Sequence, residues 1–226
     1  MTLGHPRVHR RLTGSTSLDA RALAIAGAPH GTLVTAREQD DGRGRQGRRW
    51  HAPAGGALLC SLVLRDPPPL LSIAAGVAVA EAIGAQATLK WPNDVLLEGR
   101  KVSGILVEGR PQERWSVLGI GVNVALRVEE LPAKLRESAG TLGHSESDVE
   151  ALLERLLAAL ETRLASPPAE LLAAWRDRDS LIGREISWRD GSGTAAGIDD
   201  RGALLVRLRE GGERALDAGE VHLSAS

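Results

Sequence analysis

The sequence predicts an α+β protein: a mixed, mostly antiparallel sheet flanked by helices, followed by a small β-rich C-terminal domain. Three observations carry this expectation. Strand-like runs are separated by short turns, as in DVLLEGRKVSGILVEG, so neighbouring strands pair as hairpins instead of through helical crossovers. Apolar or amphipathic runs at helical spacing stand between them. From about Leu181 the texture changes to short alternating runs broken by DGSG, DDRG and EGG, the pattern of a small barrel or meander. A boundary near residues 178–182 then divides the chain into a larger domain over 1–179 and a smaller one over 180–226.

In chain order, LDARALAIAGAP reads as a helix with Ser15 to Ser17 as its caps and Pro29 beyond its end. GTLVTARE and ALLCSLVLR read as strands, and the Ala-rich LLSIAAGVAVAEAIGA as a buried helix. TLKW, the two halves of DVLLEGRKVSGILVEG and RWSVLGIGVNV supply further strands. SDVEALLERLLAALETRLA is an amphipathic helix with a capping box from Ser147 to Glu150, and PAELLAAWRDRD forms another helix.

Composition narrows the function classes. A formal net charge of -1 over 226 residues argues against wholesale nucleic-acid binding, so any basic function is local. The lone Cys60 excludes an internal disulfide and fits a reducing cytoplasm. No apolar run is long enough to span a bilayer, and MTLGHPRVHRRLTG lacks the apolar core of a signal peptide, which together predict a soluble, cytoplasmic protein. Phe and Tyr are absent while Trp occurs five times, so Leu, Val, Ile and Ala build the core and a Trp in a polar stretch has a specific task.

Three stretches carry candidate chemistry. GRGRQGRRW, residues 42–50, holds four arginines and no apolar residue before Trp50. It reads as a solvated loop, a nucleic-acid-binding arm or a clamp for a phosphate-bearing ligand. Its single copy between two strands of a nearly neutral protein favours the clamp: glycines let the backbone wrap a ligand and guanidinium groups bind its oxygens in pairs. Such a loop is expected to order only around its ligand. In KWPNDVLLEGRKVSGILVEG, Asn93 and Asp94 enter a strand after Pro92, as turn formers or as ligands. Lys101 opens an apolar strand, either as a solvated edge residue or as a cation aimed at a carboxylate or phosphate. GIGVNV ends in Asn123; glycine inside a strand admits close approach to the backbone, and a buried asparagine needs backbone partners or a ligand such as a purine edge.

In this order and spacing, the three stretches resemble the catalytic domain of biotin protein ligases, and the β-rich tail is similar to that family's small SH3-like C-terminal domain. The resemblance implies the class II synthetase-like fold of the biotin–lipoate ligases. It implies activation of biotin by ATP as biotinyl-5'-AMP, with Mg2+, and transfer of biotin to a lysine of a biotin carboxyl carrier protein of acetyl-CoA carboxylase or another biotin-dependent carboxylase. Ser15, Thr16, Ser17, Gln39 and Gly104 are the implied neighbours of biotin, with Arg43, Gly44 and Arg45 as the loop closing over biotin and the adenylate phosphate. Lys101 bridges the biotin carboxylate and the α-phosphate, so Lys101, Arg43 and Arg45 are the implied catalytic residues. Trp50, Asn93, Asp94 and Asn123 hold ATP, Asp94 through magnesium. The family usually has asparagine where Ser17 stands.

With 14 residues ahead of the first motif and no winged-helix segment, the resemblance implies a monofunctional enzyme that does not bind DNA, acting as a monomer or as a homodimer formed through a sheet edge. The competing readings are a lipoate or octanoate ligase of the same fold, and a non-catalytic nucleic-acid-binding module built on the basic loop.

Overall fold

The computed structural model describes residues 2–217, 219 and 221–223. In chain order the elements are β1 (Arg7–Arg10), α1 (Thr16–Ile25), β2 (Leu33–Ala36), β3 (Ala57–Arg65), α2 (Leu71–Ile83), β4 (Thr88–Lys90), β5 (Asp94–Leu97), β6 (Arg100–Arg110) and β7 (Trp115–Asn123). A short α3 (Ala133–Arg136), α4 (Asp148–Leu164) and α5 (Pro168–Arg176) follow. The chain then forms β8 (Glu185–Trp188), β9 (Gly191–Ile198), β10 (Leu204–Arg207), β11 (Glu213–Leu216) and β12 (His222–Leu223).

The first seven strands make one sheet in the order β1-β2-β3-β7-β6-β5-β4, and the last five a second sheet in the order β11-β10-β9-β8-β12. Among the strand ladders of the described residues, β1 and β2 pair in parallel and the others are antiparallel, as the hairpin reading expects. The β5–β6 hairpin turns at Glu98 and Gly99, both at positive φ (51° and 75°), the conformation a tight two-residue turn requires. The parallel edge strand β1 is not legible in the sequence. RVHR is short and its side chains are mostly exposed, so no apolar alternation marks it.

Alternation on the long central strands sorts the large sheet into two faces. Leu58, Cys60, Leu62 and Leu64 of β3 and Leu118, Ile120 and Val122 of β7 pack against α2, α4 and α5 in the main core. The opposite face carries α1, whose Ala20 and Ala24 meet Val34, Val63 and Val117. Because α1 is only 10 residues long, it covers part of that face and leaves the rest open.

Helix α2 is buried on nearly every side, as its Ala-rich sequence predicts. Gly76 is the notch that allows it: a Cβ there would lie 2.8 Å from Cζ3 of Trp175 on α5, so the indole sits directly against the α2 backbone. The small sheet joins the same core through Ile186, Ala195, Ile198, Leu204, Val206, Leu216 and Val221. It is also stitched to the preceding elements: Trp91 Nε1 donates to Gly202 O at 3.0 Å and Arg176 Nη2 to Ile198 O at 3.0 Å.

Two capping expectations are corrected. Helix α1 begins at Thr16 with Ser15 as N-cap, but the Ser15 side chain makes no capping bond; Gln39 Oε1 accepts the Thr16 N–H at 2.7 Å instead. At α4 the Ser147 side chain likewise makes no capping bond. Two residues earlier a one-way pair forms instead, where Asp148 Oδ2 accepts from both the Ser145 N–H at 2.9 Å and the Ser145 hydroxyl at 2.7 Å. Glu150 is drawn away by Arg7, whose Nη2 donates to Glu150 Oε2 at 2.9 Å. A two-point guanidinium pair outcompetes a backbone N–H for the carboxylate.

Trp175→Ala empties the notch against Gly76 and is expected to cost about 3–5 kcal/mol, the range for removing a fully buried large side chain. Urea denaturation measures this, and a loss below about 1 kcal/mol would show that the notch is not a core contact.

Candidate functional site

A cavity of about 450 Å³ opens on the α1 side of the large sheet, where α1 leaves it uncovered. Its floor is a row of residues in register across four strands: Lys90 on β4 faces Asp94 on β5, Asp94 faces Gly104 on β6, and Gly104 faces Gly121 on β7. Gly121 in turn faces Leu59 on β3. The two glycines are required by what lies on them. A Cβ at Gly121 would stand 2.6 Å from Cε2 of Trp50, and one at Gly104 would stand 3.0 Å from its Cζ3. The indole therefore lies on bare backbone.

Trp50 ends the Arg/Gly loop, which the structure folds as a small closed hairpin. Trp50 N donates to Gly42 O at 2.9 Å and Gly44 N to Arg48 O at 2.7 Å, with Gln46 and Gly47 at positive φ (56° and 74°) at the tip. The tip folds down onto the floor through its arginines. Arg43 Nη1 lies 3.2 Å from Glu108 Oε1, and Arg45 Nη1 donates to Asn93 Oδ1 at 3.1 Å. Arg49 pairs with Asp41 at the exposed base of the loop. Burial holds the Arg45 guanidinium below the usual arginine range, with Asp94 opposing that shift and Arg48 adding to it.

Lys101 reaches the same face by an irregularity. Val95 pairs with Ser103 but Leu96 pairs with Lys101, so Val102 is an extra residue in β6. Strict alternation would place Lys101 with Ser103 and Ile105 on the helix-covered face; the bulge turns it to the cavity, a recurrent use of bulges beside functional sites. There Lys101 Nζ lies 2.6 Å from Asp94 Oδ1 and 5.9 Å from the centre of the Trp50 ring. Its backbone is clamped: Lys101 N donates to Ser138 O at 2.8 Å and Gly140 N to Lys101 O at 2.8 Å.

At one end of the cavity, Ser15, Thr16 and Ser17 are buried at the start of α1. Thr16 Oγ1 lies 3.0 Å from Gln39 Oε1 and 2.9 Å from Ser61 Oγ, and Ser17 Oγ lies 3.1 Å from Ser61 Oγ. Gly119 makes room for this cluster, since a Cβ there would be 2.6 Å from Ser17 Oγ. At the other end of the same strand Asn123 donates through Nδ2 to Gly140 O at 2.8 Å, while its Oδ1 is buried without a partner.

Every residue named from the sequence lines this one cavity: Ser15, Thr16, Ser17, Gln39, Arg43, Gly44, Arg45, Trp50, Asn93, Asp94, Lys101, Gly104 and Asn123. Sequence reasoning passed over Lys90, Ser61, the apolar wall of Leu131 and Leu135, and Val221 and His222 from the small sheet. Ser61 carried a signal, as the one hydroxyl in the apolar strand ALLCSLVLR. Lys90 could be recognised only from the β4–β5 pairing. Cys60, fully buried, has its thiol pushed up to about 12 by burial and is no nucleophile.

The electrostatics select the ligand class. Arg43, Arg45, Arg48, Arg49, Lys90 and Lys101 line the cavity, and Asp94 is the one carboxylate among the described lining residues. Such a cavity suits a polyanion. Among the described residues no cluster of three or more His, Cys, Asp or Glu is placed to hold a metal. A divalent cation would have Asp94 as its protein ligand and take its other ligands from phosphate and water, the usual manner of Mg2+.

Comparison with known proteins agrees with this geometry. Residues 10–124 match the model of the biotin/lipoate A/B protein ligase family, and residues 181–224 that of the biotin protein ligase C terminal domain. The chain is 37% identical over 218 residues to a biotin--[acetyl-CoA-carboxylase] ligase of Mycobacterium tuberculosis, covering 86% of this chain and 80% of that one. It is 36% identical over 240 residues to the enzyme of that name from Paracoccus denitrificans, covering 93% and 98%. The bifunctional ligase/repressor BirA of Bacillus subtilis is 36% identical over 234 residues, covering 92% of this chain and 71% of that protein. Among solved structures, the biotin protein ligase of Aquifex aeolicus in complex with biotin and ATP superposes with a TM-score of 0.83 at 28% identity, covering 98% of this chain and 100% of that one. With the catalytic-domain and C-terminal models both matched and the fold shared, the chain belongs to the biotin protein ligase family.

Proposed function

We propose that this protein activates biotin with ATP as biotinyl-5'-AMP and transfers the biotin to a lysine of a biotin carboxyl carrier protein. The observation that carries the reading is the cationic cavity, in which six Lys and Arg side chains and one carboxylate surround a glycine floor closed by Trp50. The match to the biotin protein ligase C terminal domain, beside the broader biotin/lipoate model, favours biotin over lipoate. The reading divides the chain into a catalytic domain over 1–179 and a C-terminal domain over 180–226, and places the enzyme in the cytoplasm. No helix among the described residues is long and apolar enough to cross a membrane.

In this proposal Ser15, Thr16, Ser17 and Gln39 bind the ring end of biotin, where the N-terminus of α1 adds positive potential for the ureido oxygen. Ser17 lies in the notch at Gly119, in reach of the ring. Arg43, Gly44 and Arg45 close over the biotin carboxylate and the α-phosphate beside Gly104. The unpartnered Asn123 Oδ1 requires a donor, which the exocyclic amine of adenine supplies, while Trp50 and Asn93 complete the nucleotide site. Asp94 would hold the magnesium that accompanies ATP, whose positive charge would offset the negative charge of the phosphates.

The chemistry then follows from charge. A biotin carboxylate oxygen must approach an anionic phosphate, and the barrier is in part their repulsion. Lys101, fixed by its clamped backbone and the face of Trp50, presents a preorganised ammonium to both anions. Asp94 holds that ammonium in place until ligand oxygens compete for it. The closed loop keeps water from the mixed anhydride until the carrier lysine arrives. No enzyme nucleophile is needed.

Mass spectrometry of a carrier domain incubated with the protein, biotin and Mg-ATP tests the assignment directly, with the gain of one biotin on a lysine as the expected result. Thermal stabilisation by biotin but not lipoate separates the two ligase readings. Lys101→Ala is expected to slow biotin-dependent pyrophosphate release by about 10²–10³-fold, the scale for losing one preorganised stabiliser, while the melting transition is kept. Wild-type release rates in this variant would remove Lys101 from the chemistry. Amide exchange over residues 42–50 is expected to slow when biotinyl-5'-AMP binds; equal protection with and without it would contradict the clamp.

A further inference from the structure

The floor row continues past the Asp94–Lys101 pair. From Gly104 it passes through Asp94 to Lys90, each the in-register partner of the next. With about 4.8 Å between adjacent strands, Lys90 stands about 10 Å from Gly104, in the same direction as Asp94. The perpendicular axis runs along β7, where the alternating residues Gly119, Gly121 and Asn123 face the cavity. In the ligase reading the biotin ring lies by Gly119 and the adenine by Asn123, so the two ends of the adenylate occupy the axis along β7. The α-phosphorus of ATP carries a third arm, its pyrophosphate. With the β7 axis taken up by the adenylate, the row across the strands, past Lys101 and Asp94 towards Lys90, is the direction left for that arm.

Lys90 differs from Lys101 in its partners. Asp94 neutralises Lys101 at 2.6 Å, whereas among the described residues no carboxylate forms an ion pair with Lys90. Lys90 is half-buried in the cavity wall. Burial holds its ammonium below the usual lysine range, Asp94 opposes that shift, and Lys101 and Arg48 add to it. An unpaired, partly desolvated cation in a cavity wall is destabilising until an anion joins it.

We propose that Lys90 binds the leaving pyrophosphate of ATP through its β- and γ-phosphate oxygens, and so acts in adenylation and not in transfer. The proposal rests on the ligase reading above. As a biotin carboxylate oxygen bonds to the α-phosphorus, the bond from that phosphorus to the oxygen bridging the β-phosphate breaks. Its electron pair leaves with pyrophosphate, and no proton need move. The Lys90 ammonium meets the charge that grows on that leaving group, then releases it before the carrier lysine attacks.

The test is to assay Lys90→Met and Lys90→Arg in each half-reaction separately. For Lys90→Met, kcat/KM for ATP in biotin-dependent pyrophosphate release should fall about 10–100-fold, the scale of one charge-assisted hydrogen bond. Inhibition by added pyrophosphate should weaken in parallel. Single-turnover transfer from synthetic biotinyl-5'-AMP to a carrier domain should stay within about twofold, and Lys90→Arg should recover most of the first half-reaction. Equal losses in both halves, unchanged pyrophosphate inhibition, or full adenylation by Lys90→Met would each overturn the proposal. If the wild-type protein neither makes nor consumes biotinyl-5'-AMP, the ligase reading fails, whatever Lys90 does.

Discussion

Trp50 can lie flat on the sheet only because Gly104 and Gly121 face each other in register across β6 and β7. Much of the site depends on this contact. The indole anchors the Arg/Gly loop to the sheet, gives the Lys101 ammonium a ring face to sit over, and forms part of the cavity lining. Any side chain at Gly121 would lift the ring, because its Cβ would fall 2.6 Å from the indole, inside the distance atoms tolerate. Glycine inside two central strands weakens their β-propensity, a cost the rest of the sheet carries through Leu118, Ile120 and Val122 on its opposite face.

The charge pattern explains why the loop is built from arginine and glycine. Arginines this dense repel one another, and the structure gives three of the four a different anchor each: Glu108 for Arg43, Asn93 for Arg45 and Asp41 for Arg49. Of these anchors only Glu108 and Asp41 are carboxylates, and both lie outside the cavity lining. The lining thus keeps an excess of positive charge, balanced when polyphosphate enters. The loop hairpin, with Gln46 and Gly47 at positive φ, bends so tightly that it needs the conformational freedom of glycine near its tip.

The small sheet is more than an appendage. Its apolar residues are continuous with the main core, and Val221 and His222 form part of the cavity wall. The stretch 138–142 plays a similar part on the other side, held to the backbone of Lys101 and to both the side chain and the backbone of Asn123. Two site residues on different strands are therefore fixed by one segment, which ties the Lys101 part of the cavity to its Asn123 end.

The sequence by itself determined the fold class, the extents of the buried and amphipathic helices, the hairpin between β5 and β6, and the three motifs that share one cavity. These are local properties: period-two and period-3.6 patterns, turn residues at fixed offsets, and residue types with few structural alternatives. Tertiary structure decided what depends on partners distant in the chain. The α1 cap moved to Gln39 and Glu150 left the α4 capping box for Arg7, because a side chain from another element supplied an acceptor or claimed the expected one. Lys90 became a cavity residue only through its pairing with Asp94. Lys101 faces the cavity and not the core because Val102 is an extra residue in β6, and a bulge is a property of two paired strands, which neither strand carries in its own sequence.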